Sequence, residues 1–139
     1  MGEAKKVIIV PCSGIGKPYG TVSRMAAYQV TEDDRADKTQ LIPLSLLVLG
    51  DEEARAALAE NPAITIDGCQ LACASKMVRG SGGNVARELA VLECFRHHRD
   101  LKPKGIAELN EGGEKLVSVL AEEVDDAIDA LGQEGTENA

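Results

Sequence analysis

Apolar positions along the chain change their spacing several times, and each change predicts an element. Val7-Ile-Ile-Val10 is short, continuous and β-branched, the pattern of a strand buried on both faces of a parallel sheet. The glycines and proline of Cys12-Ser-Gly-Ile-Gly-Lys-Pro-Tyr-Gly20 predict a loop. From Thr21 onward, Val22, Met25, Ala26 and Val30 recur at helical spacing and predict a first helix. The long apolar run from Thr39 to Leu49 predicts a second strand with a trailing connection through Pro43. Asp51, followed by Glu52 and Glu53, predicts the capped start of a short helix ending near Asn61-Pro62.

Ala63 to Ile66 predicts a third strand, and Gln70 to about Arg79 a helix. Arg79-Gly-Ser-Gly-Gly-Asn84 predicts a flexible loop. The segment from Asn84 to Phe95 supports two readings: Asn84 can cap a helix, or Leu89-Ala-Val-Leu92 can form a buried strand. Alternation with the neighbouring helices favours the strand. Leu116, Val117, Leu120, Val124, Ile128 and Leu131 then mark one face of a long helix, whose other face is acidic and suited to solvent. Strands alternating with helices predict an α/β fold: a single-domain layered sandwich with a mainly parallel sheet of about four strands, flavodoxin-like or Rossmann-like. The domain is expected over residues 1–131, with a flexible tail over 132–139.

Composition narrows the function. With 139 residues the chain can bury a core without disulfide staples. Aromatic residues make up only 2%, with no Trp, so the core falls to Val, Leu, Ile and Ala, and there are few platforms for stacking on single-stranded nucleic acid. A formal net charge of −8 disfavours nucleic acid or an anionic membrane as partner. Val7 to Val10 is too short for a signal peptide and meets Pro11 at once, and no segment has the length of a membrane span. A cytoplasmic location is expected, where the 4 cysteines stay reduced and serve as metal ligands or reactive groups rather than disulfides.

In an open parallel sheet, ligands bind beyond the carboxyl ends of the strands. Cys12 lies just past the first strand and Cys69 just past the third. If Leu89 to Leu92 is a strand, Cys94 lies past the fourth. Cys73 follows Cys69 by one helical turn, a spacing that puts two sulfurs on one face. A helix N-terminus at Cys69 would favour its thiolate, Gly68 permits a tight turn into it, and Lys17, Lys76 and Arg79 can add positive charge. This pattern points to a thiolate metal site.

Other chemistries fail on their spacing. A Walker loop would need Gly at Pro11 and Ser or Thr at Pro18. A cysteine phosphatase loop would need arginine at Pro18. A dinucleotide fingerprint breaks at Tyr19, and there is no Cys-x-x-Cys ribbon. The sequence singles out no catalytic residue.

Cys12-Ser-Gly14 and Ile66-Asp-Gly-Cys-Gln-Leu-Ala-Cys-Ala-Ser-Lys76 together resemble the DGC-domain family of small proteins, named for its central Asp-Gly-Cys. The resemblance covers roughly residues 7 to 94 and is carried by Cys12, by Asp67-Gly68-Cys69 and by Cys73-Ala74 with Lys76. It implies a zinc site that uses Cys12, Cys69 and Cys73. The family pattern places a further cysteine after the second strand, where Gln40 to Gly50 contains none. Cys94 is the natural substitute, with His97, His98 or water as alternatives. A closed four-thiolate site is structural, whereas three protein ligands leave a position for water or substrate. Four cysteines are also compatible with an iron–sulfur cluster. The alternative from another class is a thiol-dependent redox or sulfur-transfer protein, with Cys69 as nucleophile and Cys73 resolving it. An adaptor that uses its acidic C-terminal helix is a third.

Overall fold

The computed structural model describes residues 6–12, 17–68 and 72–137, with side chains through 132. The strands are β1 (Val7–Pro11), β2 (Thr39–Leu41), β3 (Ala63–Asp67) and β4 (Val85–Ala90). The helices are α1 (Pro18–Gln29), α2 (Leu44–Leu49), α3 (Glu52–Glu60), α4 (Cys73–Gly80), α5 (Val91–Arg96) and α6 (Glu111–Glu137). A π-helical turn, Val30–Asp34, continues α1. The strands form one parallel sheet in the order β2-β1-β3-β4, so the expected layered α/β fold is observed.

Side chains leave a strand on alternating faces, and β1 therefore feeds two core layers. Val7 and Ile9 pack with Ile64 and Ile66 against α1, α5 and α6. Ile8, Val10 and Cys12 pack with Ala63 against α2, α3 and α4. From the central strand β1 the chain leaves to α1 on the first face. From its neighbour β3 it leaves to α4 on the second. Adjacent parallel strands whose helices depart to opposite faces open a crevice beyond their carboxyl ends, the usual ligand position in such sheets.

Several local expectations are met. Asp51 caps α3, its Oδ2 accepting the Ala54 N–H at 2.9 Å. The first helix is observed but starts earlier than expected, at Pro18 inside the segment read as a loop, because a proline in the first turn costs no helical hydrogen bond. Leu116, Leu120, Val124 and Ile128 bury one face of α6, and its backbone remains helical beyond Leu131 as far as Glu137.

Three expectations need correction. The run from Thr39 to Leu49 is not one strand. The Ile42 N–H still bonds the Ile9 carbonyl at 3.1 Å, but Pro43 has no N–H to extend the ladder. Leu44 and Leu47, three apart, instead bury one face of α2, which ends at Gly50 in the left-handed region (φ 76°).

The fourth strand lies at 85–90 rather than 89–92. Among the described residues it is an edge strand paired with β3 alone, so Arg87 and Glu88 are tolerated in it and no continuous apolar run marks it. Leu89-Ala-Val-Leu92 straddles its end and the start of α5, which places Cys94 inside a helix.

The third correction concerns α4, which begins at Cys73. Ala72 precedes it at φ 52°, ψ 46°, so the helix does not extend back through that residue, and the expected helical start at Cys69 and Gln70 lies outside the described residues. Among the described residues, no helix is long and apolar enough to cross a membrane.

Candidate functional site

Cys12 follows β1 directly and prolongs its ladder, its N–H bonding the Ile66 carbonyl at 2.9 Å. Continuing the alternation of Ile8 and Val10 turns its side chain toward the α2–α4 layer, where it is 4% exposed. The Cys12 Sγ accepts the backbone N–H of Gly68 at 3.0 Å. The sulfur is the acceptor in this bond, a role open to thiol and thiolate and stronger for the thiolate. The ends of β1 and β3 are thereby joined.

Gly68 is where it is because another backbone is close. A Cβ there would lie 3.0 Å from the Tyr19 carbonyl and from the Gly20 nitrogen, in the first turn of α1. The same turn is held from below by Ser23, whose Oγ donates to the Ile66 carbonyl at 2.8 Å. α1 thus rests on the Asp67-Gly68 turn.

Asp67 organises the other side. Its carboxylate is buried and accepts the Ala74 N–H at 2.8 Å, the Ser75 Oγ–H at 2.8 Å and the Ser75 N–H at 3.4 Å. These amides belong to the first turn of α4, where a carboxylate also complements the helix dipole. Ser75 spends its hydroxyl proton on Asp67, so the bond to Thr65 Oγ1 at 2.7 Å runs from Thr65 to Ser75. Cys73 is the first residue of α4 and is exposed. Its helix start is therefore fixed by the residue that precedes Gly68.

The expected ligands divide as follows. Cys12 and Cys73 both belong to elements anchored on Asp67-Gly68, and Cys69 lies outside the described residues. Cys94 is buried on the opposite face of the sheet from Cys12, among α1, α5 and α6. Burial first, and Glu123 of α6 second, push its thiol up to about 12. His98 Nδ1 sits 3.1 Å from the Cys94 carbonyl, and His97 Nε2 lies 3.5 Å from Glu93 on the surface. Arg79 is paired with Glu88 at 2.8 Å. Among the described residues, no group of three or more His, Cys, Asp or Glu side chains is placed to hold a metal ion.

Sequence reasoning overlooked the carboxylate of Asp67, which caps a helix starting six residues later. Capping signatures look for the acceptor three residues before its amide, and Asp67 is seven before Ala74. The left-handed Ala72 carried no signal either, since non-glycine residues seldom adopt that conformation.

The sequence model of the DGC domain matches residues 8–125, most of the chain. No curated protein and no solved structure matches the chain significantly.

Proposed function

The chain belongs to the DGC-domain family, and on that premise we propose that it is a cytoplasmic zinc-binding protein whose switch-point crevice holds the metal through thiolates. Cys12, Cys69 and Cys73 form the ligand set, and water or a substrate atom takes the fourth position. The observation that carries this reading is the bond from Gly68 N–H to Cys12 Sγ. It brings the β1 cysteine to the turn whose next residue is Cys69, and outer-shell N–H donors of this kind orient and stabilise metal thiolates. Asp67 supports the set from the other side by fixing the start of α4 at Cys73. Cys94 is assigned a packing role, because it lies in the opposite core layer and its thiol resists ionisation. Zinc with an open coordination position supplies Lewis acidity and an activated water. The chain's own contribution is a buried sulfur, an exposed one and a turn that holds both.

A second reading, a thiol-dependent redox or sulfur-transfer protein, draws support from the exposure of Cys73 at a helix N-terminus. One experiment separates the two. Protein purified under reducing conditions without chelator is analysed for zinc and iron, and its thiols are titrated before and after chelation. The zinc reading expects about one zinc per chain and thiols that become reactive only on chelation. Metal-free protein with freely reactive thiols overturns it in favour of the second.

A further inference from the structure

Carboxylates are missing from the two stretches of chain that leave β1 and β3. The sequence has 23 aspartates and glutamates, yet neither the span 12–31 nor the span 68–87 contains one. These spans begin where β1 and β3 end, and they take in α1 and α4. Lysine is the first charged side chain in each: Lys17 precedes α1, and Lys76 lies in the first turn of α4, three residues after Cys73. Both are exposed, and neither makes an ion pair among the described residues. Both also lie within a helical turn of the Asp67-Gly68 hub, since Tyr19 and Gly20 abut Gly68 and Asp67 caps α4. Helices α3, α5 and α6 each carry a glutamate in the first turn, whereas α1 and α4 carry none. Asp67 itself is buried, its charge met by two amides and a hydroxyl. Glu88, the first carboxylate beyond the second span, is held by Arg79 at 2.8 Å. The segment between α5 and α6 adds to the same side: Thr21 Oγ1 donates to the Ile106 carbonyl at 2.7 Å, with exposed Lys102 and Lys104 before it and Glu108 after.

We propose that the crevice takes a small anionic substrate, a carboxylate- or phosphate-bearing molecule, and that Lys17 and Lys76 draw it in from the two sides. The inference rests on the crevice being the ligand site of the proposed function. A chain of net charge −8 repels an anion over most of its surface. A gap in the carboxylates flanked by two lysines gives that anion one favourable approach, and a cleft of one sign raises its local concentration. Helix starts without a first-turn carboxylate add partial positive charge at α1. A long polyanion would also meet the acidic surface around the gap, so the arrangement suits a small ligand.

Iodoacetate and iodoacetamide attack the same thiolate but differ in charge, so their rate ratio reports the local potential whatever the thiolate fraction. The ratio is read at Cys73 by peptide mapping of the full chain, freed of metal by chelator, at low ionic strength. The reference is the same chain unfolded in urea. Folding should shift the ratio toward iodoacetate by about threefold or more, and Lys76→Gln, Lys17→Gln or added salt should return it toward the reference. Inorganic phosphate or acetate should slow the iodoacetate reaction more than sodium chloride of equal ionic strength, and protection by one alone names the class of anion. If chelation unfolds the chain, the protein as purified carries the test: phosphate or acetate should raise its thermal midpoint beyond what sodium chloride does, and the excess should vanish when both lysines are replaced. A folded ratio equal to the reference or unmoved by both variants, or no effect of either anion beyond chloride, overturns the proposal. Zinc analysis of the same preparation stands apart from these readings, so failure of the zinc assignment and failure of the anion assignment are told apart.

Discussion

The amide of Gly68 and the sulfur of Cys12 lie 3.0 Å apart, a bond between residues 56 positions distant in the chain. It joins the carboxyl ends of β1 and β3, the two strands whose helices leave for opposite faces of the sheet. Cys12 is thereby held against the Asp67-Gly68 turn.

The two buried cysteines should therefore respond differently to the same change. Cys12→Ser removes a proposed zinc ligand, and zinc affinity should fall by more than the roughly 10–100-fold typical of losing a supporting partner. Cys94→Ser should leave about one zinc per chain and instead destabilise the fold by ~1–3 kcal/mol, because it places a hydroxyl in an apolar layer. Zinc competition with a chromophoric chelator, beside denaturant unfolding, reads both effects. Loss of zinc from Cys94→Ser with Cys12→Ser unaffected would reverse the assignment.

Gly68→Ala tests the close approach of α1. The added methyl meets main-chain atoms of Tyr19 and Gly20, which cannot rotate aside as a flexible side chain can. A loss of ~1–3 kcal/mol is expected, with the largest gain in hydrogen exchange near the first turn of α1. A variant as stable as the native chain would mean that α1 can shift at no cost.

Asp67→Ala removes the acceptor of two backbone amides and one hydroxyl. Buried donors left unpaired cost ~1–3 kcal/mol each, so the destabilisation should exceed the ~1 kcal/mol of an ordinary N-cap loss. If zinc binds as proposed, its affinity should fall too, since Cys73 loses its fixed helix start. Stability within 1 kcal/mol of native, a threshold of about one cap, would show that water replaces the carboxylate.

Alkylation should sort the thiols by exposure. In chelated, folded protein at pH about 8, iodoacetamide should modify exposed Cys73 and leave Cys94 intact until denaturant is added. With its thiol pushed up to about 12, Cys94 stays protonated throughout the neutral range and gains reactivity only as pH approaches that value or the core opens. Modification of both at similar rates would show that the α1–α5–α6 layer opens readily.

The elements that a few neighbouring residues define could be read directly. β1 and β3 announce themselves as apolar β-branched runs, Asp51 caps α3, and the apolar face of α6 repeats over several turns. Hydrogen bonding and burial act there within one strand or one helical turn, so the local sequence suffices. Asp67-Gly68-Cys69 stood out as a unit through the resemblance to the DGC-domain family, which did not reveal that the Asp67 carboxylate caps α4.

What only the tertiary structure decided is how these pieces face one another. Val85 to Ala90 is a strand because β3 offers it an edge, not because its own pattern demands one. Cys94 sits on a different face from Cys12 because α5 turns toward α1 and α6 as it leaves β4, and nothing within a few residues of Cys94 encodes that direction. Gly68 is required by the backbone of Tyr19, 49 positions earlier in the chain. Each of these depends on surfaces that meet only after the sheet has formed, and a local period cannot carry information about a neighbour that the chain brings in from far away.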